Sequence, residues 1–185
     1  MDEAIFYIII GLIAIILIYI LITVNRLTKA KNKVEEGFST MDVYLKMRWD
    51  LIPNLIETIK GYSIHEKKTL EEVIRLRNTT YDNMDEKKKL NTDDALNIRI
   101  PKLLAVSESY PELKANDSYQ SLQTRLSEVE IDIANSRKNY NESIRLYNDL
   151  VEMFPSNIIA KIMKFNKREI YSIEEEGREN VRIDL

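Results

Sequence analysis

Apolar residues follow two patterns along this chain. Positions 4–24 (AIFYIIIGLIAIILIYILITV) carry no charge over 21 residues. A helix of that length spans about 31 Å at its ordinary rise, close to one hydrocarbon core. Its ten isoleucines, three leucines and one valine each favour insertion, by about 0.3–0.6 kcal/mol. A buried helix of a soluble protein seldom stays apolar on every face for so long. A cleaved signal peptide has a shorter apolar stretch, a basic start and small residues after it. Here the start is Met1-Asp2-Glu3 and no A-x-A follows. The pattern predicts a transmembrane anchor over 1–24 and a soluble helical domain over 25–185.

After the anchor the spacing changes to steps of three and four, the period of an amphipathic helix. Val34, Phe38, Met41, Leu45, Trp49, Ile52, Ile56 and Ile59 form the first such stripe. Pro53 interrupts it, removing a backbone donor and crowding the carbonyl of Trp49. Two readings fit: a kinked helix running to Gly61, or a new helix capped by Asp50. The stripe stays in phase across the proline, which favours the kink. A second helix is predicted from about residue 64 to 81, with Leu70, Val73, Ile74 and Tyr81 on one side. The polar run 82–94 (DNMDEKKKLNTDD) reads as a solvated connection. A third helix then starts with Thr92 as cap and Asp93 and Asp94 in its first turn, where acids suit the macrodipole. Pro101 should kink it, and the Tyr110-Pro111 step should end it.

Residues 117–154 hold the longest stripe: Tyr119, Leu122, Leu126, Val129, Ile133, Ser136, Tyr140, Ser143, Tyr147, Leu150 and Phe154. That is five heptads, about 55 Å of helix, with Asp117 or Ser118 as the start signal and Pro155 as the stop. The small Ser136 and Ser143 suit close packing, and the tyrosines need hydroxyl partners at the edge of the packed layer. The tail holds Ile158, Ile159, Ile162, Met163 and Phe165, then an acid triplet at 174–176 and an alternating end, 181–185. With four helices in alternating directions, Phe154 should lie near the level of Lys29–Lys33. The apolar tail residues should then face the headgroups or cap that end. The predicted fold is all-α: an N-terminal transmembrane helix followed by an elongated antiparallel up-down bundle of about four helices.

Composition narrows the chemistry. Four glycines and four prolines are too few for the turns of a sandwich, a barrel or a doubly wound sheet. Gly11, Gly37, Gly61 and Gly177 are spaced too widely for a phosphate-binding loop. There is no cysteine and one histidine, His65, so neither a thiol nucleophile nor a two-histidine zinc site can be assembled. His65 and Glu66 are neighbours, about 100° apart on a helix, and cannot chelate one metal. No cofactor is expected. The 27 basic and 30 acidic residues nearly balance, which speaks against a nucleic-acid surface.

Charge placement says more than the total. Asp2 and Glu3 precede the anchor, whereas Arg26, Lys29, Lys31 and Lys33 follow it with no acid until Glu35. The positive-inside rule then puts the N-terminus outside and the helical domain in the cytoplasm of the cell. The same four cations suit anionic headgroups. Glu57, Glu130 and Arg137 lie near apolar stripes and are candidates for interior ion pairs, which usually set register rather than catalyse.

The run 41–62 (MDVYLKMRWDLIPNLIETIKGY) resembles the central signature of the LemA family, as does His65-Glu66 with Thr69-Leu70-Glu71. Residues 104–116 (LAVSESYPELKAN) resemble its second block. Leu122-Gln123, Glu130, Ile133-Ala134, Arg137, Tyr140-Asn141, Tyr147-Asn148 and Phe154-Pro155 follow at the family's spacing. The resemblance covers about 25–185 and implies a bacterial single-pass membrane protein with a helical bundle and no established activity. The expected function is a non-enzymatic, membrane-anchored interaction module. Its partners would be the lipid bilayer, another membrane or cytoplasmic protein, and in some settings a second copy. The alternative is a sensor or enzyme whose site uses Asp42, Arg48, Asp50 and Glu57, polar residues grouped in the signature segment.

Overall fold

The structure, a computed structural model, describes residues 2–62, 67–76 and 80–172. Among them there are six α-helices and no strand. His65 and Glu66, the acid triplet 174–176 and the alternating end 181–185 lie outside the described residues.

The first helix, α1 (Asp2–Lys60), is unbroken over 59 residues and runs through Pro53. No new helix begins at Asp50. The apolar stripe explains why continuity wins: Val34, Met41, Leu45, Trp49, Ile52, Ile56 and Ile59 are all buried, on both sides of the proline. Their packing outweighs one lost backbone bond. Leu55 joins them. The first part of α1 has the opposite character. One window of 18 residues there has a mean hydropathy of 3.2 and no residue buried, so this helix is long and apolar enough to cross a membrane.

The remaining helices are α2 (Lys67–Leu76), α3 (Glu86–Ala105), α4 (Pro111–Lys114), α5 (Asp117–Glu152) and α6 (Ser156–Ile162). Two sequence expectations need correction. The run 82–94 is not a solvated connection, because α3 begins within it. Its cap is Asp85, whose carboxylate accepts the Lys88 backbone N–H at 2.8 Å, not Thr92. Asp93 therefore lies in the middle of α3 and is buried. At α5 the cap is Asn116, whose side-chain oxygen accepts the Tyr119 N–H at 2.9 Å. Pro101 is accommodated inside α3, which passes into a short 3-10 turn at Val106–Ser109.

The chain groups into two compact units. Among the described residues, one comprises 2–41 and 135–171, the other 42–134 and 172. In the first unit, α1 and α5 approach closely at Gly37. A Cβ there would stand 3.2 Å from the Ser143 hydroxyl and 3.3 Å from the Tyr140 Cα. Phe38 meets the Tyr140 ring edge-on, with centroids 5.8 Å apart. Lower on α1, Leu27 shares an apolar cluster with Ile159 and Ala160 of α6, flanked by Ile20, Val24, Leu150, Val151 and Phe165. Position 27 is thus near 150 and position 37 near 140, so the two helices run oppositely in this unit. The apolar tail thus returns to the part of α1 around Leu27, where the uncharged run ends. Phe154 does not follow the stripe inward and is exposed.

In the second unit, Leu126, Val129 and Ile133 of α5 are buried, as the heptad spacing requires, and Arg125 is exposed. Helix α2 packs on α3, burying Leu70 and Val73, while Ile74 stays on the surface. The Tyr119 hydroxyl donates to the Leu104 carbonyl at 2.9 Å.

Candidate functional site

Arg48 is the largest fully buried side chain among the described residues, 1% exposed. An arginine cannot shed its charge, so its burial requires acceptors and a counter-charge. Its guanidinium pairs with the Asp93 carboxylate, and donates to the Asp93 carbonyl at 3.1 Å. It also donates to Asn97 at 2.7 Å and to Glu130 at 2.9 Å. One turn of α3 and one residue of α5 therefore close around one residue of α1. Asp93 is as buried as Arg48, whereas the Glu130 side chain is 56% exposed and marks the solvent edge of the cluster.

Asp42 sits in a second cluster of the same unit. Its carboxylate accepts the Tyr81 hydroxyl and the Lys89 ammonium, each at 2.6 Å. The Tyr81 ring lies 4.8 Å below the Lys89 nitrogen and packs against Trp49, centroids 5.7 Å apart. Burial, and the hydrogen bond to Asp42 after it, push the Tyr81 hydroxyl far above the ordinary tyrosine range. The phenol donates to the Asp42 carboxylate.

The other sequence candidates are placed elsewhere. Asp50 is exposed and pairs with Lys46 one turn away, at 3.2 Å. Glu57 is exposed on α1 and forms no part of either cluster. The Arg137 guanidinium lies over the Tyr171 ring, 4.9 Å from its centroid. Arg26, Lys29, Lys31 and Lys33 are all exposed on α1 just after the apolar run, and Lys31 reaches Glu35 at 3.9 Å. So the structure brings Arg48 and Glu130 together, and links Asp42 and Asp50 through Tyr81, whose hydroxyl bonds Asp42 and whose ring lies 5.5 Å from the ammonium of Lys46, the partner of Asp50; Glu57 and Arg137 lie apart from these groups. Among the described residues, no group of three or more histidine or acidic side chains could hold a metal.

One polar device was missed by sequence reasoning. Asn148 brackets Arg168, its amide donating to the Arg168 carbonyl at 2.8 Å and its oxygen accepting the Arg168 N–H at 2.9 Å. Asn141 does the same to Tyr171, at 2.7 and 3.0 Å. The Tyr147 hydroxyl donates to the Asn166 carbonyl at 2.9 Å, and burial raises its pKa. Seven helical residues rise about 10.5 Å, and three extended residues cover about 10 Å. The two asparagines are thus spaced to grip a strand-like tail running against α5. The signal was available in the Tyr-Asn pairs repeating after seven residues, 140–141 and 147–148.

Three relatives put this arrangement in context. Over 88 residues the chain is 32% identical to the magnetosome proteins MamQ 1 and MamQ 2 of Paramagnetospirillum magneticum, covering 48% of this chain and 32% of each relative. This chain thus spans about a third of the length of those two proteins. It is 25% identical over 166 residues to protein LemA of Metamycoplasma hominis, covering 85% of this chain and 72% of that one. The model of the LemA family matches residues 37–185, which include the Arg48 cluster, the Asp42 cluster and both asparagines. With four fifths of its length matched, this chain belongs to the LemA family.

Proposed function

We propose that this protein is a membrane-tethered helical scaffold that holds other proteins at the bilayer rather than catalysing a reaction. The observation that carries the reading is the use made of Arg48: its hydrogen bonds and ion pairs run to Asp93, Asn97 and Glu130 within the helical scaffold. Such a cluster sets helix register. An enzyme or sensor built on the 41–57 segment would need Asp42, Arg48, Asp50 and Glu57 around one cavity; Asp42 and Lys46, the partner of Asp50, meet at Tyr81, but Arg48 is bonded into the interior and Glu57 is exposed on α1. The matched magnetosome proteins are named for a cellular body and not for a reaction, which agrees with a structural role.

In this reading 1–24 is the anchor and 25–185 the helical domain. The helices alternate in direction, which is supported by α1 and α3 running alike (42 with 89, 48 with 93 and 97). The basic flank keeps the domain in the cytoplasm, beneath the cell membrane. Outward apolar residues such as Val43 and Met47, one turn apart and both exposed, offer contact to a protein partner or a second copy.

Photocrosslinking tests the proposal. Crosslinkers at positions 43 and 47 of the full chain in native membranes should capture a discrete set of proteins, recovered again by co-purification. The purified chain in detergent should keep one melting temperature across metals, nucleotides and metabolites. A ligand-dependent rise in melting temperature that is lost in Asp42→Asn would instead favour the sensor or enzyme.

A further inference from the structure

The level of α6 on α1 has a consequence for the anchor. Ile159 and Ala160 pack on Leu27, with Ile20 and Val24 alongside. Ile20 and Val24 belong to the uncharged run, whose length matches one hydrocarbon core. The packed face of α6 therefore lies within about a turn of the hydrocarbon boundary. The opposite side of α6 is apolar as well: Ile158 and Ile162, four residues apart, are 53% and 71% exposed, and Met163 follows, also exposed. Phe154, before α6, is 79% exposed. It lines a groove of about 470 Å³ whose α1 wall includes Tyr19 and Thr23, inside the uncharged run, and then Arg26 and Lys33.

We propose that the α5–α6 turn together with α6 is a second membrane attachment: Phe154, Ile158, Ile162 and Met163 enter the acyl–headgroup boundary of the same leaflet that the anchor leaves. The proposal rests on the anchored reading above. Four large apolar side chains in water would be a liability; beside the end of a transmembrane helix they continue its lipid-facing surface. The charges agree with this occupant. Lys161 and Lys164 are exposed around the apolar residues, and Arg26 and Lys33 stand in the groove against one acid, Asp149. A short helix with an apolar side and a basic rim lies in an interface, and anionic headgroups favour it. The asparagine grip on 168 and 171 holds the chain that follows α6 to α5. This fixes the turn at the membrane-proximal end, where two attachments restrict how the helical domain can swing about its anchor.

The chain has no cysteine, so single nitroxide labels can be placed at will. Labels at positions 154, 158 and 162, with controls at Ile13 in the anchor and exposed Ile131 on α5, are read in the full chain. The vesicles contain phosphatidylcholine and phosphatidylglycerol in equal parts, and circular dichroism checks each variant for native helix content. Collisions with oxygen should exceed those with an aqueous nickel chelate at 154, 158, 162 and 13, and the order should reverse at 131. Aqueous values at 158 and 162 with an apolar value at 13 would reject the second attachment and leave the anchor standing. Low access to both reagents at 158 and 162 would mean that protein covers them, in a second copy or another chain, and would also reject it. An aqueous value at 13 would reject the anchor and this proposal together.

Discussion

Arg48 shows how much one side chain organises. Removing it alone strands the Asp93 carboxylate in the interior, and breaking a buried pair in this way costs about 3–5 kcal/mol. Replacing both partners by apolar residues removes the desolvation cost along with the attraction. Arg48→Met should therefore lower the melting temperature of the full chain in detergent steeply, and Arg48→Met with Asp93→Leu should recover much of the loss. Two additive losses would mean that the pair does not act as a unit. Tyr81 yields a pH prediction. Its folded pKa lies above the unfolded value of 10.0, so above pH 10 the unfolded chain loses a proton that the folded chain keeps. Stability from this group is complete below pH 10 and declines as pH rises beyond it. Tyr81→Phe should flatten the decline between neutral and strongly alkaline pH in thermal melts. An unchanged slope would show that burial of the phenol does not matter.

Helix α5 is the element that the sequence described best. Tyr119, Leu126, Val129, Ile133, Ser136, Tyr140, Ser143 and Tyr147 are all buried, because a seam residue recurs every three or four positions whatever it packs against. Leu126→Asp should cost several kcal/mol by placing an unpaired carboxylate at that seam, whereas exposed Arg125→Ala should stay within about 0.5 kcal/mol. Equal melting temperatures for the two variants would contradict the register. Helix α3 was described worst. Its first half is nearly all polar, and a polar run with mixed charges looks the same in sequence whether it is a loop or a helix held at both ends. Here Asp85 caps one end and Asp93 answers Arg48, and neither event leaves an apolar period to detect.

For the whole molecule, orientation is the first consequence to test. The proposed orientation, N-terminus outside and helical domain in the cytoplasm, applies the positive-inside rule to the acidic start and the basic residues from Arg26 to Lys33. Cysteine probes at Asp2 and at Asp117 can be labelled on intact cells with an impermeant maleimide. Reaction at position 2 and none at 117 is expected, and the reverse pattern would overturn the orientation.

The sequence by itself determined whatever repeats locally: the uncharged run at the start of α1, the apolar stripe that follows it, the heptads of α5 and the family signature. Each depends on neighbours within a turn or two, and burial follows the period. Tertiary structure decided the polar partners. Arg48 finds Asp93 45 residues away and Glu130 82 residues away. Asn141 and Asn148 grip backbone 30 and 20 residues further on. A buried charge or amide must be satisfied, but any distant acceptor meets that need, and chain order does not say which one. The exposed side of α6 belongs to the same class. By sequence Ile158, Ile159 and Ile162 were alike, facing the headgroups or capping the end of the bundle; the fold seats Ile159 and Ala160 against Leu27 and leaves Ile158 and Ile162 facing outward.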